Sequence, residues 1–359
     1  MTNTPSAHAS LPPLPATLLE LAGAVDLPDP LDAPPLRWGI IGAGGIAHTF
    51  ATDVPAHTRS TVAAVAARDQ SRADAFAHAH DIPRAYGSYE ELVEDPDVDA
   101  VYVATIHPRH ADNAVLALQA GKPVLVEKSF TMDAPQAHRV LATAADHHLF
   151  AMEGMWTRHL PHHRVMKAVL DGGGLGEVVS ASADHGQSLR HIARLVDPAL
   201  GGGALWDLAI YPISFLHAVL GRPETISALA RMEGPIDVAD AVTVRTRTAL
   251  GVARANLDGR SATAAEVVCE RGALEFPQQF YRPGVLRMRT FPQGGDPDGE
   301  TCDWDATLPG GFQYEAAEVA RCLEAGLIES PVMPWSQTLA VMETLDEVRT
   351  QIGLSFVGE

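Results

Sequence analysis

The stretch that most constrains this chain is Leu36-Arg-Trp-Gly-Ile-Ile-Gly-Ala-Gly-Gly-Ile-Ala47. A short apolar run, Trp38 to Ile41, reads as a buried parallel strand; it runs into Gly42-x-Gly44-x-x-Ala47, and a helical pattern begins. Each small residue has a physical job. Gly42 permits a tight strand-to-helix turn, Gly44 lets backbone approach a pyrophosphate, and Ala47 lets the helix pack closely on the strand. The helix N-terminus, at Gly45 and Ile46, offers unpaired N–H groups and a partial positive charge to phosphates. This stretch predicts a dinucleotide site.

Strand and helix patterns alternate beyond it. Ser60 to Ala67 reads as a second strand ending in Arg68-Asp69, where such a unit meets the adenosine ribose. An acidic group there accepts the 2′-hydroxyl of NAD, whereas an arginine suits the 2′-phosphate of NADP. Arg68 comes first and Arg72 follows one turn on, which favours NADP; Asp69 keeps NAD open. Ser71 to His80 looks helical with Ser71 as its cap, and Ser88-x-x-Glu91 is a capping box. Ala100 to Ala104 is a buried strand leading into Thr105-Ile-His-Pro-Arg-His110, with Pro108 in a first helical turn. Val124 to Val126 is another strand, closing on Glu127-Lys128-Ser129, and a helix and a strand near Phe150 to Glu153 follow. The expectation is a six-strand doubly wound parallel sheet over residues 36–154, with ligands beyond the strand C-termini, where His107, His110 and Lys128 fall.

From Met155 the pattern changes. Short strand-like runs recur at 177–185, 226–232, 241–248, 252–257, 264–268 and 286–290 without intervening helices, predicting an α/β domain over 155–359 with a large open mixed or antiparallel sheet. Gly294 to Gly299 reads as a turn-rich loop, and Phe312 to Ala325 and Ser336 to Ile352 as closing helices. Residues 1–35, rich in Pro, Ala and Leu, leave room for one short helix around Thr17 to Ala24. They read as a loosely packed tail, or alternatively as an arm over a neighbouring subunit or the cofactor cleft.

A formal net charge of −19 argues against nucleic-acid and anionic-membrane partners, which need a basic face. The three cysteines, Cys269, Cys302 and Cys322, form no CxxC pair, and no secretory signal or membrane span is expected. The reading is a cytoplasmic protein acting on a small molecule. The adjacent pairs His147-His148 and His162-His163 point different ways on a helix, so no metal site is expected.

Three residues could carry chemistry: Lys128, Asp207 and Tyr211. Hydride transfer from a carbinol to nicotinamide needs a group to take the hydroxyl proton. A tyrosine can do so if a nearby ammonium favours its phenolate. Asp207 and Tyr211 are four apart and share a face on a helix. Each also has an ordinary alternative: a core-edge tyrosine, a solvated lysine, a helix-start charge. Trp156 and Trp206 could wall a pocket or be plain core.

Gly42-Ala-Gly-Gly-Ile-Ala47, Ala66-Ala-Arg-Asp69, Thr105-Ile-His-Pro-Arg-His110, Glu127-Lys-Ser129, Glu153-Gly-Met-Trp-Thr-Arg158 and Gly202-Gly-Ala-Leu-Trp-Asp-Leu-Ala-Ile-Tyr211 follow one another in a specific order and spacing. Together they resemble the glucose–fructose oxidoreductase (Gfo/Idh/MocA) family, in its branch of dimeric dihydrodiol dehydrogenase and NADP-dependent D-xylose dehydrogenase. The resemblance runs from about Arg37 to Phe356. It implies an NADP-binding Rossmann domain and an α/β domain whose open sheet serves for dimerisation. It implies that Lys128 and Tyr211 are catalytic, that Arg68 holds the 2′-phosphate, and that Gly45, Ile46, Thr105, His107 and Glu127 lie with the cofactor. His110, Trp156 and Asp207 would border the substrate.

Two departures stand out. Ser129 replaces the usual proline after the lysine; Ala209 stands where glycine is usual, and Trp206 adds bulk that could narrow the pocket. The expected function is an NADP-dependent oxidoreductase acting on a hydroxyl or carbonyl of a sugar or cyclic diol. The rival readings are reduction of an imine or enol-type substrate and a non-catalytic NAD(P)-binding regulatory protein.

Overall fold

The computed structural model describes residues 10–291 and 299–355. The first sheet has strands β1 (Arg37–Ile41), β2 (Thr61–Ala66), β3 (Arg84–Tyr86), β4 (Ala100–Val103), β5 (Val124–Glu127) and β6 (Ala151–Gly154). Its order is β3-β2-β1-β4-β5-β6 and every pairing is parallel. Order reverses between β1 and β4, so the crevice at their C-terminal ends is where a ligand binds in such a sheet. The core strands are apolar on both faces because helices cover both. β3 escapes a periodicity argument: its three residues are all half-buried.

The second sheet has β7 (Val178–Gly186), β8 (Thr225–Glu233), β9 (Ile236–Arg245), β10 (Leu250–Asn256), β11 (Ala265–Cys269), β12 (Gly272–Phe276), β13 (Val285–Thr290) and β14 (Thr301–Asp305). Its order is β14-β13-β12-β11-β7-β10-β9-β8. Only β7 and β10 pair in parallel among the described residues; the rest is antiparallel. The expected mixed sheet is therefore present, with two strands beyond those anticipated. β12 follows β11 by a two-residue turn, Glu270-Arg271, and β14 carries aspartates that mask its pattern. All but the last residue of the expected loop Gly294 to Gly299 lies outside the described residues.

Helix Ile210–Leu220 packs on one face of this sheet, against β7 and β10. The stretch 198–220 has the length and apolarity of a membrane span, but 78% of its most apolar 18-residue window is buried in the protein interior. The opposite face carries Leu229 and Leu250, 77% and 60% exposed. Helices Phe312–Glu324 and Trp335–Ile352 return to the first sheet, packing on helices Gly45–His57 and Ala134–Asp146.

The N-terminal segment differs from the loose tail expected. Helix Ala16–Ala22 lies on helix Pro161–Gly172 with Leu18 fully buried. A Cβ on Gly174 would stand 2.3 Å from a Leu21 methyl, so the glycines after that helix make room for the arm. Trp304 Nε1 donates to the Pro12 carbonyl at 2.9 Å and Arg321 to that of Asp29 at 2.6 Å. None of its described residues lines the cleft at the C-terminal ends of β1, β4 and β5. Helix Gln70–Ala79 is capped by Asp69 rather than Ser71.

Candidate active site

A cleft of about 670 Å³ opens at the C-terminal ends of β1, β4 and β5. Gly42, Gly44, Gly45, Ile46, Arg68, Thr105, His107, His110, Glu127, Lys128, Asp207 and Tyr211 all line it. Ala47, fully buried, lies beneath the helix that starts at Gly45, as close packing of that helix requires. Gly42 has φ +108°, and a Cβ there would lie 2.7 Å from the Ala104 carbonyl oxygen. At the far end Arg68 and Arg72 line the cleft with Tyr89. Asp69 is turned to its own helix: Oδ1 accepts from the Ser71 N–H at 2.8 Å and from Ser71 Oγ at 2.6 Å.

At the other end Lys128, directly after β5, meets the segment 205–220 of the second domain. That segment begins as a π-helical turn, Leu205–Ala209, and continues as helix Ile210–Leu220. Such wide turns recur at functional sites; this one carries Asp207, with Tyr211 on the first turn after it. Lys128 Nζ donates to the Asp207 carbonyl at 3.1 Å, lies 3.8 Å from its carboxylate and stands 5.0 Å from the centre of the Tyr211 ring. Arg194 grips Asp207 in a two-pronged pair, Nη1 to Oδ2 at 2.8 Å and Nη2 to Oδ1 at 2.9 Å. Burial would raise the Asp207 carboxyl, but the cations around it (His107 when protonated, Lys128 and Arg194) outweigh burial and bring it to about 2.

The phenol of Tyr211 differs from the simple expectation. Burial, reinforced by the Glu127 carboxylate, pushes it above its ordinary range. The ammonium of Lys128 lies over the ring face, and the group bonded to the phenol oxygen is the indole of Trp156, whose Nε1–H donates to Oη at 3.1 Å. Trp156 itself is buried and stacked on Phe312 with centroids 4.8 Å apart, so it backs the tyrosine instead of lining the cleft. Glu127 accepts a short hydrogen bond from Tyr102 Oη, and burial pushes its carboxyl up to about 7. Burial likewise pushes His107 down to about 3, leaving a neutral imidazole whose Nδ1 lies 3.4 Å from the Gly201 carbonyl.

His110 was expected to border the substrate. Its ring is fully buried, with Nδ1 2.9 Å from the Ser129 carbonyl and Nε2 3.1 Å from that of Thr105. It braces the ends of β4 and β5. Ser129, in place of proline, donates Oγ–H to the Trp206 carbonyl at 3.0 Å, and the Lys128–Ser129 peptide is cis. Trp206 does not narrow the pocket: neither it nor Ala209 lines the cleft, and its Nε1 donates to the Met132 carbonyl at 3.2 Å.

Residues 36–155 match the model of an oxidoreductase family with an NAD-binding Rossmann fold, GFO_IDH_MocA, and residues 163–275 match the GFO/IDH/MocA C-terminal domain. The protein belongs to the Gfo/Idh/MocA family. Trans-1,2-dihydrobenzene-1,2-diol dehydrogenases from Bos taurus and Homo sapiens are each 39% identical to this Gfo/Idh/MocA protein over 332 residues, covering 89% of it and 98% of theirs. A 3-ketoreductase from Actinomadura kijaniata, solved in complex with NADP and TDP-benzene, superposes with a TM-score of 0.79 at 28% identity, over 89% of this chain and 98% of that one. A levoglucosan dehydrogenase in complex with NADH and levoglucosan, 19% identical with a TM-score of 0.77 over 89% of this chain and 98% of that one, shares the fold.

The Gfo/Idh/MocA protein is thus an NAD(P)-dependent oxidoreductase, and the cleft fits the dinucleotide. The backbone at Gly42 leaves no room for a side chain, the N-terminus of helix Gly45–His57 faces the cleft, and cationic groups stand at its far end. Arg194, His185 and Tyr281 went unnoticed in the sequence. His185 stacks on Tyr281 with centroids 4.3 Å apart and meets Tyr211 edge-on at 5.0 Å, so the two rings fix the tyrosine from behind. No sequence signal marks them; they come from β7 and from the loop after β12.

Proposed function

We propose that this protein is an NADP-dependent dehydrogenase or reductase acting on a secondary or hemiacetal hydroxyl, or the corresponding carbonyl, of a cyclic diol or sugar. The observation that carries the reading is the joining of Lys128, Asp207 and Tyr211 at one end of the dinucleotide cleft. When bound, the nicotinamide supplies the hydride acceptor or donor. The chain's own residues handle the proton. Tyr211 Oη takes it from the substrate hydroxyl on oxidation and returns it on reduction, with Trp156 Nε1–H bonded to the phenol oxygen so that the phenolate is not left bare. Lys128 places an ammonium where it can bond the reacting oxygen, and Asp207, clamped by Arg194, holds that lysine in place. The dihydrodiol dehydrogenase relatives and the NADP-bound ketoreductase support the substrate class.

The test is turnover by the purified protein, followed by nicotinamide absorbance, of NADP with trans-1,2-dihydrobenzene-1,2-diol, D-xylose and D-glucose, and of NADPH with a cyclic imine. Reduction of NADP with a diol or aldose is expected. Turnover of the imine alone would move the protein to the rival class, and no turnover of any would leave a binding protein.

Preference for NADP rests on Arg68 and Arg72 facing the cleft while the Asp69 carboxylate is taken by its helix cap. Titration followed by nicotinamide fluorescence is expected to show tighter binding of NADPH than NADH. In Arg68→Asp the NADPH affinity should fall roughly 10- to 100-fold relative to NADH, the scale of one charged hydrogen-bonded contact. An unchanged ratio would mean that another group reads the ribose.

The bare face of the second sheet, with Leu229 exposed on β8 and Leu250 and Val252 on β10, one strand away across β9, supports a homodimer formed through it. Leu229→Glu combined with Leu250→Glu should halve the mass measured by analytical ultracentrifugation; an unaltered mass would exclude this face. Three free thiols suit a reducing compartment such as the cytosol.

A further inference from the structure

A second cavity, of about 440 Å³, lies between the N-terminal segment, the end of helix Gly45–His57 and helix Phe312–Glu324. Its size falls within the roughly 300–1,000 Å³ of ordinary ligand pockets. Leu11, Leu27, Leu31, Ala56 and Leu308 give it an apolar wall. The polar groups on it are unevenly satisfied. His159 is 4% exposed, and neither of its ring nitrogens has a hydrogen-bond partner. Buried polar groups are nearly always paired, so one that faces a cavity unpaired marks a place for a ligand atom.

The charged groups point the same way. Arg164 and Arg321 line the cavity half-buried, and neither guanidinium has a carboxylate within ion-pairing distance among the described residues. Each donates to one backbone carbonyl of the arm, at 3.4 Å to Asp26 and 2.6 Å to Asp29. Of the three acids on the lining, Glu318 accepts from Ser330 Oγ at 2.5 Å and Asp29 Oδ1 from the Leu31 N–H at 2.9 Å, while Asp26 is exposed to solvent. In a chain with 45 acidic and 26 basic side chains, two guanidiniums that no carboxylate pairs, set beside an apolar wall, can take an organic anion.

This cavity shares two walls with the catalytic tyrosine. His159 closes the one-turn helix Trp156–His159, and Trp156 at its start donates to Tyr211 Oη at 3.1 Å. Arg158, between them, ties the turn to helix Ile210–Leu220 through Ser214 Oγ at 3.0 Å. The second wall is the start of helix Phe312–Glu324: Phe312 stacks on Trp156 while Gln313 and Tyr314 line the cavity. Any shift of His159 or Tyr314 toward a ligand is therefore transmitted to the indole that bonds the phenol.

We propose that the cavity is an effector site for a small aromatic or alicyclic carboxylate, its anion on the Arg164 and Arg321 guanidiniums, its ring on the apolar wall and His159, and its occupancy felt at Tyr211 through Trp156. The binding half stands on the cavity alone; the coupling half rests on the proton-transfer role read for Tyr211.

The experiment is isothermal calorimetry of the full chain with NADPH bound, using benzoate and cyclohexanecarboxylate as probes and benzyl alcohol as the uncharged comparison. The carboxylates should bind and benzyl alcohol at least tenfold more weakly. Arg164→Leu, and separately Leu27→Trp, which fills the cavity, should each weaken benzoate tenfold or more without altering NADPH affinity. Benzoate binding that neither variant weakens, or that competes with NADPH, would overturn the site. Binding that appears only after residues 1–9 are removed would assign the cavity to the chain's own N-terminus and also overturn it. Saturating benzoate should then change kcat at least twofold without competing with either substrate, and Trp156→Phe should abolish that change while benzoate still binds. A kcat unmoved by bound benzoate would overturn the coupling. Because calorimetry needs no turnover, a failed activity reading and a failed binding site give different results.

Discussion

Tyr211→Phe should lower turnover at least about tenfold, and toward the 10²–10⁴ range of general acid–base assistance, while NADPH affinity stays within about twofold. The substitution removes one oxygen from a ring whose position is fixed independently of it, by His185 and Tyr281 behind and Lys128 over its face. Folding should survive, and equal melting temperatures would show that it has. The pH profile separates a proton-transfer role from a packing role. Burial and the Glu127 carboxylate raise the phenol above its ordinary range, so the phenolate that accepts a proton during oxidation grows with pH across the whole accessible alkaline range. Oxidation should therefore accelerate as pH rises, whereas reduction, which starts from the neutral phenol, should lack that rise. In Tyr211→Phe the alkaline rise should vanish. Lys128→Met should cause a comparable loss of turnover, because it removes the ammonium from both the Asp207 carboxylate and the tyrosine ring. Near-normal kcat in both variants would sink the mechanism.

How much of this was legible in the sequence depends on the distance over which each feature is built. The cofactor end is local: Gly42 to Ala47 and Arg68 lie at strand ends whose helices follow at once, and the residue types declare their task. Asp69 shows the limit even there. Strand-tip acidity left the cofactor ambiguous, and only the bond from Ser71 shows that the carboxylate belongs to the helix cap. The pairing of Lys128 with Tyr211 spans two domains and came from the resemblance, since spacing alone cannot bring residues so far apart together. The Arg194 fork on Asp207 and the Trp156 bond to Tyr211 were illegible because each joins a loop or short turn to a helix reached only through the fold. His110 lines the cleft after β4, but that both its ring nitrogens face backbone carbonyls is legible only in the fold. The arm before β1 misled, because its proline-rich composition hides a buried leucine and donors such as Trp304 and Arg321 reaching it from distant elements.

Two glycines with one residue between them, Gly42 and Gly44, should fail in different ways, and the contrast tests the cofactor cradle. At Gly42, φ is +108° and a Cβ would stand 2.7 Å from the Ala104 oxygen, 2.9 Å from its carbonyl carbon and 3.1 Å from the Thr105 nitrogen. All three are backbone atoms of the chain leaving β4, so no side-chain rotation relieves them. Gly42→Ala should cost about 1–3 kcal/mol from the backbone conformation alone, with the clash added to it. Melting temperature and NADPH affinity should fall together, the latter by about 100-fold or more as the strand-to-helix turn is forced open. At Gly44 the backbone is extended, φ −102°, and the nearest atom to a Cβ is the Ala104 oxygen at 4.0 Å. The protein itself therefore tolerates a methyl group there, and the glycine is needed only if something else must come close. Gly44→Ala should leave the melting temperature within about a degree of the parent, since surface substitutions that touch nothing cost under about 0.5 kcal/mol. It should nonetheless weaken NADPH roughly tenfold or more in the fluorescence titration, because the methyl group occupies the approach of the pyrophosphate. If Gly44→Ala binds NADPH as tightly as the parent, the pyrophosphate does not lie over this turn, and the cleft must hold its dinucleotide in another register.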